Sequence, residues 1–240
     1  MIKTQLARAK KYILKIAYFS YDKLMGTEMY TTFKLFQSGY HNPDYRFEKD
    51  QIALIHIPKT AGTSLAKLLS NDPQNRFVLL DIHKPVSLHC SPEEFQYITI
   101  LRDPIARVWS HYQMVLRYPK GYPYQKYAVQ GLEVFLKKTW ETRNMMCRYL
   151  AGNTQQEPDS QTFEKAIKNI STFYKVLFFE NFAKETSDFL TQQDIPFEKI
   201  PNERKSKYAQ PTEEEKALIA QYNQWDLTIF QRCKNESTNH

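Results

Sequence analysis

The stretch IALIHIPKTAGTSL, Ile52 to Leu65, carries the reading of the fold. Its first six residues are continuously apolar rather than alternating, which is the pattern of a strand covered on both faces, as in a parallel sheet flanked by helices. From Thr63 to Ser70 the pattern changes, with Leu65, Leu68 and Leu69 on one side of a helix. A strand, a tight turn and a helix in that order gather backbone N–H groups and a helix N-terminus around one point, a ready anion site. Lys59 and Ala61 lie in the turn, Gly62 lets the backbone approach an anion closely, and Thr60, Thr63 and Ser64 offer hydroxyls. The order differs from the nucleotide-triphosphate loop, which closes on Gly-Lys-Ser/Thr. Here the lysine comes first and the glycine follows it. A tight connection alone would also place Lys-Thr-Ala-Gly at a strand end.

Three further apolar runs of the same kind follow: FVLLDI from Phe77, YITIL from Tyr97 and KVLFF from Lys175. Helical patterns lie between and after them. One covers Gly131 to Leu150 and stops at Gly152. Another opens at Pro211 with Thr212 and Glu215 at capping-box spacing, and continues through Leu218, Tyr222, Trp225 and Ile229. The expected fold class is therefore α/β. With 240 residues, 42% hydrophobic and 14% aromatic, one well-buried core is expected over residues 51–240. Residues 1–50 read as a basic N-terminal helical extension, with Ile2, Leu6, Ile13, Ile16 and Leu24 at helical spacing among Lys10, Lys11 and Lys15. Loops are expected from Arg117 to Tyr127 and from Pro201 to Pro211.

A second strand, turn and helix is written in ITILRDPIARVWSHY, Ile98 to Tyr112. Asp103 suits the N-cap and Pro104 the first helical position. Arg102 then stands at the carboxyl end of a buried strand, where open α/β sheets bind ligands. Arg107 and Ser110, three residues apart, share a helix face that an anion would meet. Pairing of Arg102 with a carboxylate such as Asp103 is the plainer alternative. Taken together, the two stretches put two anion sites at strand ends of one sheet.

Lys and Arg outnumber Asp and Glu by 33 to 26, a net charge of +7 that favours anionic ligands. Cys90, Cys147 and Cys233 are few and far apart, so reduced thiols are expected rather than a disulfide framework or a zinc site. Lys15 interrupts the only apolar run near the N-terminus, which reads against a cleaved signal, and no stretch has the length of a membrane span. A cytoplasmic location is expected, with peripheral membrane contact open to the basic N-terminal helix.

PKTAGTSL followed by LRDPIARVWSHY closely resembles the two cofactor-binding signatures of sulfotransferases that use 3′-phosphoadenosine 5′-phosphosulfate (PAPS). The resemblance is to the branch with the heparan sulfate 2-O-type carbohydrate sulfotransferases and their bacterial relatives. NMMCRYLAG from Asn144, LFFENFAKETSDFL from Leu177 and NQWDLTIF from Asn223 look like later landmarks of that branch, so the likeness runs from about Ile52 to Phe230. It implies a P-loop NTPase-like sheet in a single domain, with PAPS as sulfuryl donor and no metal. Lys59, Thr60, Ala61, Gly62, Thr63 and Ser64 would bind the 5′-phosphosulfate, while Arg102 and Ser110 would bind the 3′-phosphate. Lys59 would also neutralise charge developing on the leaving bisphosphate. The resemblance further implies a base after the strand at Phe77, which His83 fits better than His89, with Glu93 and Glu94 as outside candidates. The chain has Asp81 and Ile82 where the heparan enzymes carry a His-Gly-His form. Arg204 and Lys205, with Lys207, would close over the 3′-phosphate or meet an anionic acceptor, although a solvated charge run fits them equally. His56 reads as a strand histidine, His111 as a residue beside Ser110, and Trp140 and Tyr149 as core.

The implied acceptor is a hydroxyl, on a carbohydrate by preference, which an anionic group would help to bind. Two other classes compete. A small-molecule kinase using ATP shares the strand, loop and helix but would need the Gly-Lys-Ser/Thr ending and a metal-binding carboxylate on a second strand. A non-catalytic binder of anionic glycan or nucleic acid would scatter its basic residues over a surface. Here they fall at strand ends, so nucleic acid is not an expected partner.

Overall fold

Four strands are hydrogen-bonded into one sheet in a computed structural model of the chain: β1 (Ile52–Ile55), β2 (Phe77–Val78), β3 (Gln96–Leu101) and β4 (Lys175–Phe178). The residues described are 51–78, 96–118, 124–152, 156–200 and 209–238, and they fall within one compact unit. The N-terminal extension expected over residues 1–50 lies outside them, as do His83, His89, Cys90, Arg204 and Lys205. Every pairing is parallel and the order is β2-β1-β3-β4. The expected sheet flanked by helices is present; of the run from Phe77 only Phe77 and Val78 are among the described residues.

The continuous hydrophobicity of the strands has a direct cause. Ile52 and Leu54 of β1, Ile98 and Ile100 of β3 and Leu177 of β4 face one way. There they pack on α1 (Gly62–Leu69) and α7 (Phe182–Gln192). Ala53, Ile55, Tyr97 and Leu101 face the other way, against α5 (Met145–Ala151), α6 (Ser160–Ile170) and α9 (Gln224–Thr238). Both faces are thus dry, and no position of a central strand tolerates a polar side chain without a partner. Thr99, fully buried, satisfies its hydroxyl by donating to the Ile55 carbonyl at 2.9 Å. A separate apolar cluster joins α2 (Pro104–Leu116), α3 (Gln125–Ala128), α4 (Leu132–Lys138) and α8 (Glu213–Tyr222) through Val108, Trp109, Phe135, Leu136 and Ile219.

Several boundaries differ from the sequence reading. Gly131 to Leu150 is two helices, α4 and α5, joined by a 3₁₀ turn at Trp140–Thr142. The break follows from Thr139 and Thr142. The buried Thr139 hydroxyl donates back to the Phe135 carbonyl at 2.6 Å and that of Thr142 to the Thr139 carbonyl, while Asn144 adopts left-handed backbone at φ 44°. Gly152 does terminate α5, in the left-handed conformation at φ 74°. The C-terminal pattern also divides, into α8 and α9 at Asn223, although the capping box of Thr212 and Glu215 forms as expected. A single helical turn, α3, stands within the loop expected after Arg117.

The ends of α5 and α9 cap each other. The Asp226 carboxylate accepts from the N–H groups of Met146 and Cys147 at 3.1 and 2.8 Å, and the Asn144 side-chain oxygen accepts from those of Trp225 and Asp226 at 3.1 and 3.2 Å. The Asn144 N–H donates in turn to the Asn223 side chain at 2.9 Å. Arg107 of α2, fully buried, closes this network with a guanidinium nitrogen 3.8 Å from Asp226 and 2.9 Å from the Thr142 carbonyl. Burial pushes the Asp226 carboxyl up, against the pull of Arg107 and the two N–H groups.

Candidate functional site

The strand order fixes where a ligand can sit. From β1 the chain moves to β2 on one side, whereas β3 leads on to β4 on the other. The loops leaving the carboxyl ends of β1 and β3 therefore diverge, and the crevice between them is the general ligand position of open α/β sheets. Lys59 follows β1 and Arg102 follows β3, so both stand at this crevice.

The loop after β1 has an uncommon backbone. Lys59 and Ala61 both take left-handed conformations, at φ 71° and 70°, with Thr60 between them. Neither is glycine, and each such residue costs roughly 1–2 kcal/mol relative to ordinary backbone. Alternation of this kind curls successive N–H groups into a concavity. Two hydrogen bonds hold it: the Thr60 hydroxyl donates to the Ile57 carbonyl at 2.8 Å, and Arg102 donates from Nη1 to the Lys59 carbonyl at 3.0 Å. The Thr60 hydroxyl is buried and committed to the fold of the loop, so toward an anion Thr60 has only its backbone to offer. No side chain caps α1, and the first N–H groups to return to Ala61 are those of Ser64 and Leu65, at 2.9 and 3.2 Å. The N–H groups of Gly62 and Thr63 lie ahead of them, at the positive end of the helix. Thr63 is exposed and Ser64 half-buried.

Register explains the next contact. Leu101 pairs with Phe178, so the residues that follow, Arg102 and Phe179, emerge side by side. The Arg102 guanidinium lies 3.9 Å from the centre of the Phe179 ring. Stacked there and tied to Lys59, it is a planar cation locked in orientation. Asp103 caps α2 as expected, accepting from the Ala106 N–H at 2.8 Å, with Pro104 at the first helical position. The Asp103 N–H donates to Glu180 at 2.8 Å, which ties the end of β4 to the start of α2.

Lys59 reaches across to α2, its Nζ 3.6 Å from the Met114 sulfur. A thioether is a weak acceptor and neutralises nothing. Burial, then the guanidiniums of Arg102 and Arg117, lower the lysine below its ordinary value. Three cations thus converge on one end of the sheet. Ser110, Met114 and Arg117 recur at i, i+4 and i+7 and form one row along α2, so Ser110 stands one turn before the residue that Lys59 touches. Arg107, which shares a face with Ser110 by spacing alone, points instead into the protein interior toward Asp226.

Arg117, Met114 and Phe179 were not among the expected site residues. Helical spacing from Ser110 was a usable signal for the first two; Phe179 needed the strand register. Trp109, beside Ser110, donates from its indole to the Ala209 carbonyl at 2.9 Å, which fixes the point where the chain re-enters the described structure after Arg204 and Lys205. Trp140 is half-buried and stacks with Arg148 at 4.5 Å, and Tyr149 packs on the core. His111 meets the edge of Phe135. Cys147 and Cys233 are buried and unbridged, with burial pushing the Cys233 thiol up to about 11. Among the described residues no group of three His, Cys, Asp or Glu is arranged to hold a metal ion, and no helix is long and apolar enough to cross a membrane. No protein-family model and no curated protein matches the sequence.

Proposed function

We propose that the protein is a sulfotransferase that moves a sulfuryl group from PAPS to an acceptor hydroxyl, on a carbohydrate by preference. The observation that carries the reading is the junction of the two signature stretches: Arg102 donating to the carbonyl of Lys59 at the crevice between β1 and β3, with Arg117 adding a third cation. Positive charge gathered there favours an anionic ligand. The sheet is read as P-loop-like on this basis.

The residues present fit such a donor. Lys59 and the N–H groups of Gly62 and Thr63 would hold the phosphosulfate, with the hydroxyls of Thr63 and Ser64 beside them. Arg102, with its fixed fork, and Ser110 would hold the 3′-phosphate, and Arg204 and Lys205 are proposed to join them from residues 201–208. When bound, PAPS supplies an activated sulfuryl group that carries less charge than a phosphoryl group. Lys59, held against Met114 and with no carboxylate against it among the described residues, is suited to stabilise charge on the oxygen that becomes part of the leaving bisphosphate. The acceptor alcohol needs its proton removed, and His83 is favoured over His89 for that role. A kinase would ask the carboxylate after β3 to serve a metal, whereas Asp103 is occupied as the cap of α2.

Calorimetric titration with adenosine 3′,5′-bisphosphate, PAPS and ATP with magnesium tests the reading. Tighter binding of the two 3′-phosphorylated nucleotides, weakened in Ser110→Ala, is expected. Preference for ATP with magnesium would sink it.

A further inference from the structure

Gly62 raises a question that its backbone does not answer. It is the first residue of α1 and does not take the left-handed conformation, so the backbone would accept alanine, which is also the better helix former. The reason for glycine lies in its neighbour. A Cβ built on Gly62 would stand 2.0 Å from Cδ2 of His56 and 2.6 Å from Cγ and Nε2, closer than any real contact. The ring belongs to a residue 6% exposed, between the fully buried Ile55 and Ile57, and is enclosed at the start of the turn.

We propose that His56 is a positioning residue of the anion loop: its buried ring, wedged against Gly62, sets where α1 begins and so where Lys59 and the Gly62 and Thr63 N–H groups point. The inference rests on the anion-binding reading of the loop. Two left-handed non-glycine residues within three positions persist only where the surroundings over-determine them. Thr60 fixes the turn from within and Arg102 from β3; the third support is the ring beneath the helix start. The pair is complementary in size. The glycine is required by the histidine ring, rather than by close approach of a ligand.

The test is a double-mutant cycle of His56→Ala and Gly62→Ala, read by calorimetry with adenosine 3′,5′-bisphosphate and, separately, inorganic pyrophosphate, on proteins with unchanged circular dichroism. Each single change is expected to weaken both probes by roughly ten- to a hundredfold, the scale of a misplaced binding group. Gly62→Ala added to His56→Ala should cost nothing further, and the double variant should bind better than Gly62→Ala alone. An equal loss from Gly62→Ala in both backgrounds, or wild-type affinity in His56→Ala, overturns the proposal. If Gly62→Ala does not fold, the comparison of His56→Ala with the wild type and with the double variant still decides. Wild-type protein that binds pyrophosphate but not the bisphosphate removes the donor assignment and leaves the His56 result readable; binding of neither overturns both.

Discussion

At the scale of single residues the site is defined by a lysine set beside two guanidiniums. Lys59 touches a methionine sulfur and faces two guanidiniums, so its charged form is disfavoured in the folded protein. The sign of the linkage follows: a lysine with a lowered pKa opposes folding while charged, and that opposition fades as pH rises through the lowered value. Lys59→Met is therefore expected to raise the Tm of the ligand-free protein at neutral pH, with the gain shrinking at alkaline pH, while anion binding falls. A lower Tm would mean that Lys59 is stabilised by something else. In catalysis, removal of such a preorganised group costs about 2.7–4 kcal/mol, so Lys59→Ala should lose roughly a hundred- to thousandfold in kcat at unchanged fold. Arg102→Lys keeps the charge but loses the planar stack on Phe179 and the fixed bond to Lys59; bisphosphate affinity should drop about tenfold by calorimetry. Lys59 and Arg102 were legible from their places after strands. The reason for Gly62 was not, because sequence offers close approach to a ligand as readily as contact with a neighbour's ring.

Elements are held by side chains that reach between distant parts of the chain. Asp226 caps α5, Asn144 caps α9, and Arg107 lies 3.8 Å from Asp226. Asp226→Ala strips two N–H groups of their acceptor and leaves Arg107 charged and buried, so a loss of about 3–5 kcal/mol in denaturant unfolding is expected, with ligand binding at the crevice between β1 and β3 unchanged. A loss below about 1 kcal/mol would show that Arg107 finds another partner. Periodicity located these helices but joined α4 to α5 and α8 to α9. Apolar spacing runs on through a break when both sides of it face a core. What interrupts the helices is a threonine bonding its own turn and an asparagine serving the other helix, and the second of these is a contact between residues 144 and 225. The two landmarks NMMCRYLAG and NQWDLTIF thus meet in space, which spacing alone does not reveal.

For the molecule as a whole, the parallel sheet was legible because four runs of unbroken hydrophobicity require cover on both faces, and the two clusters that flank β1 and β3 supply it. Strand order was not legible, since hydrophobic runs carry no information about which neighbour each takes. That order, β2-β1-β3-β4, is what brings the loops after β1 and β3 to one crevice. On the proposed function, this crevice delivers a sulfuryl group to a hydroxyl. Release of adenosine 3′,5′-bisphosphate from labelled PAPS, measured with and without a panel of carbohydrate, small-alcohol and tyrosine acceptors, tests it most directly. Acceptor-dependent release that carries the label to the acceptor, and that is lost in Lys59→Ala and His83→Ala, is the expected result. A protein that binds PAPS no better than ATP and releases no bisphosphate with any acceptor would contradict it.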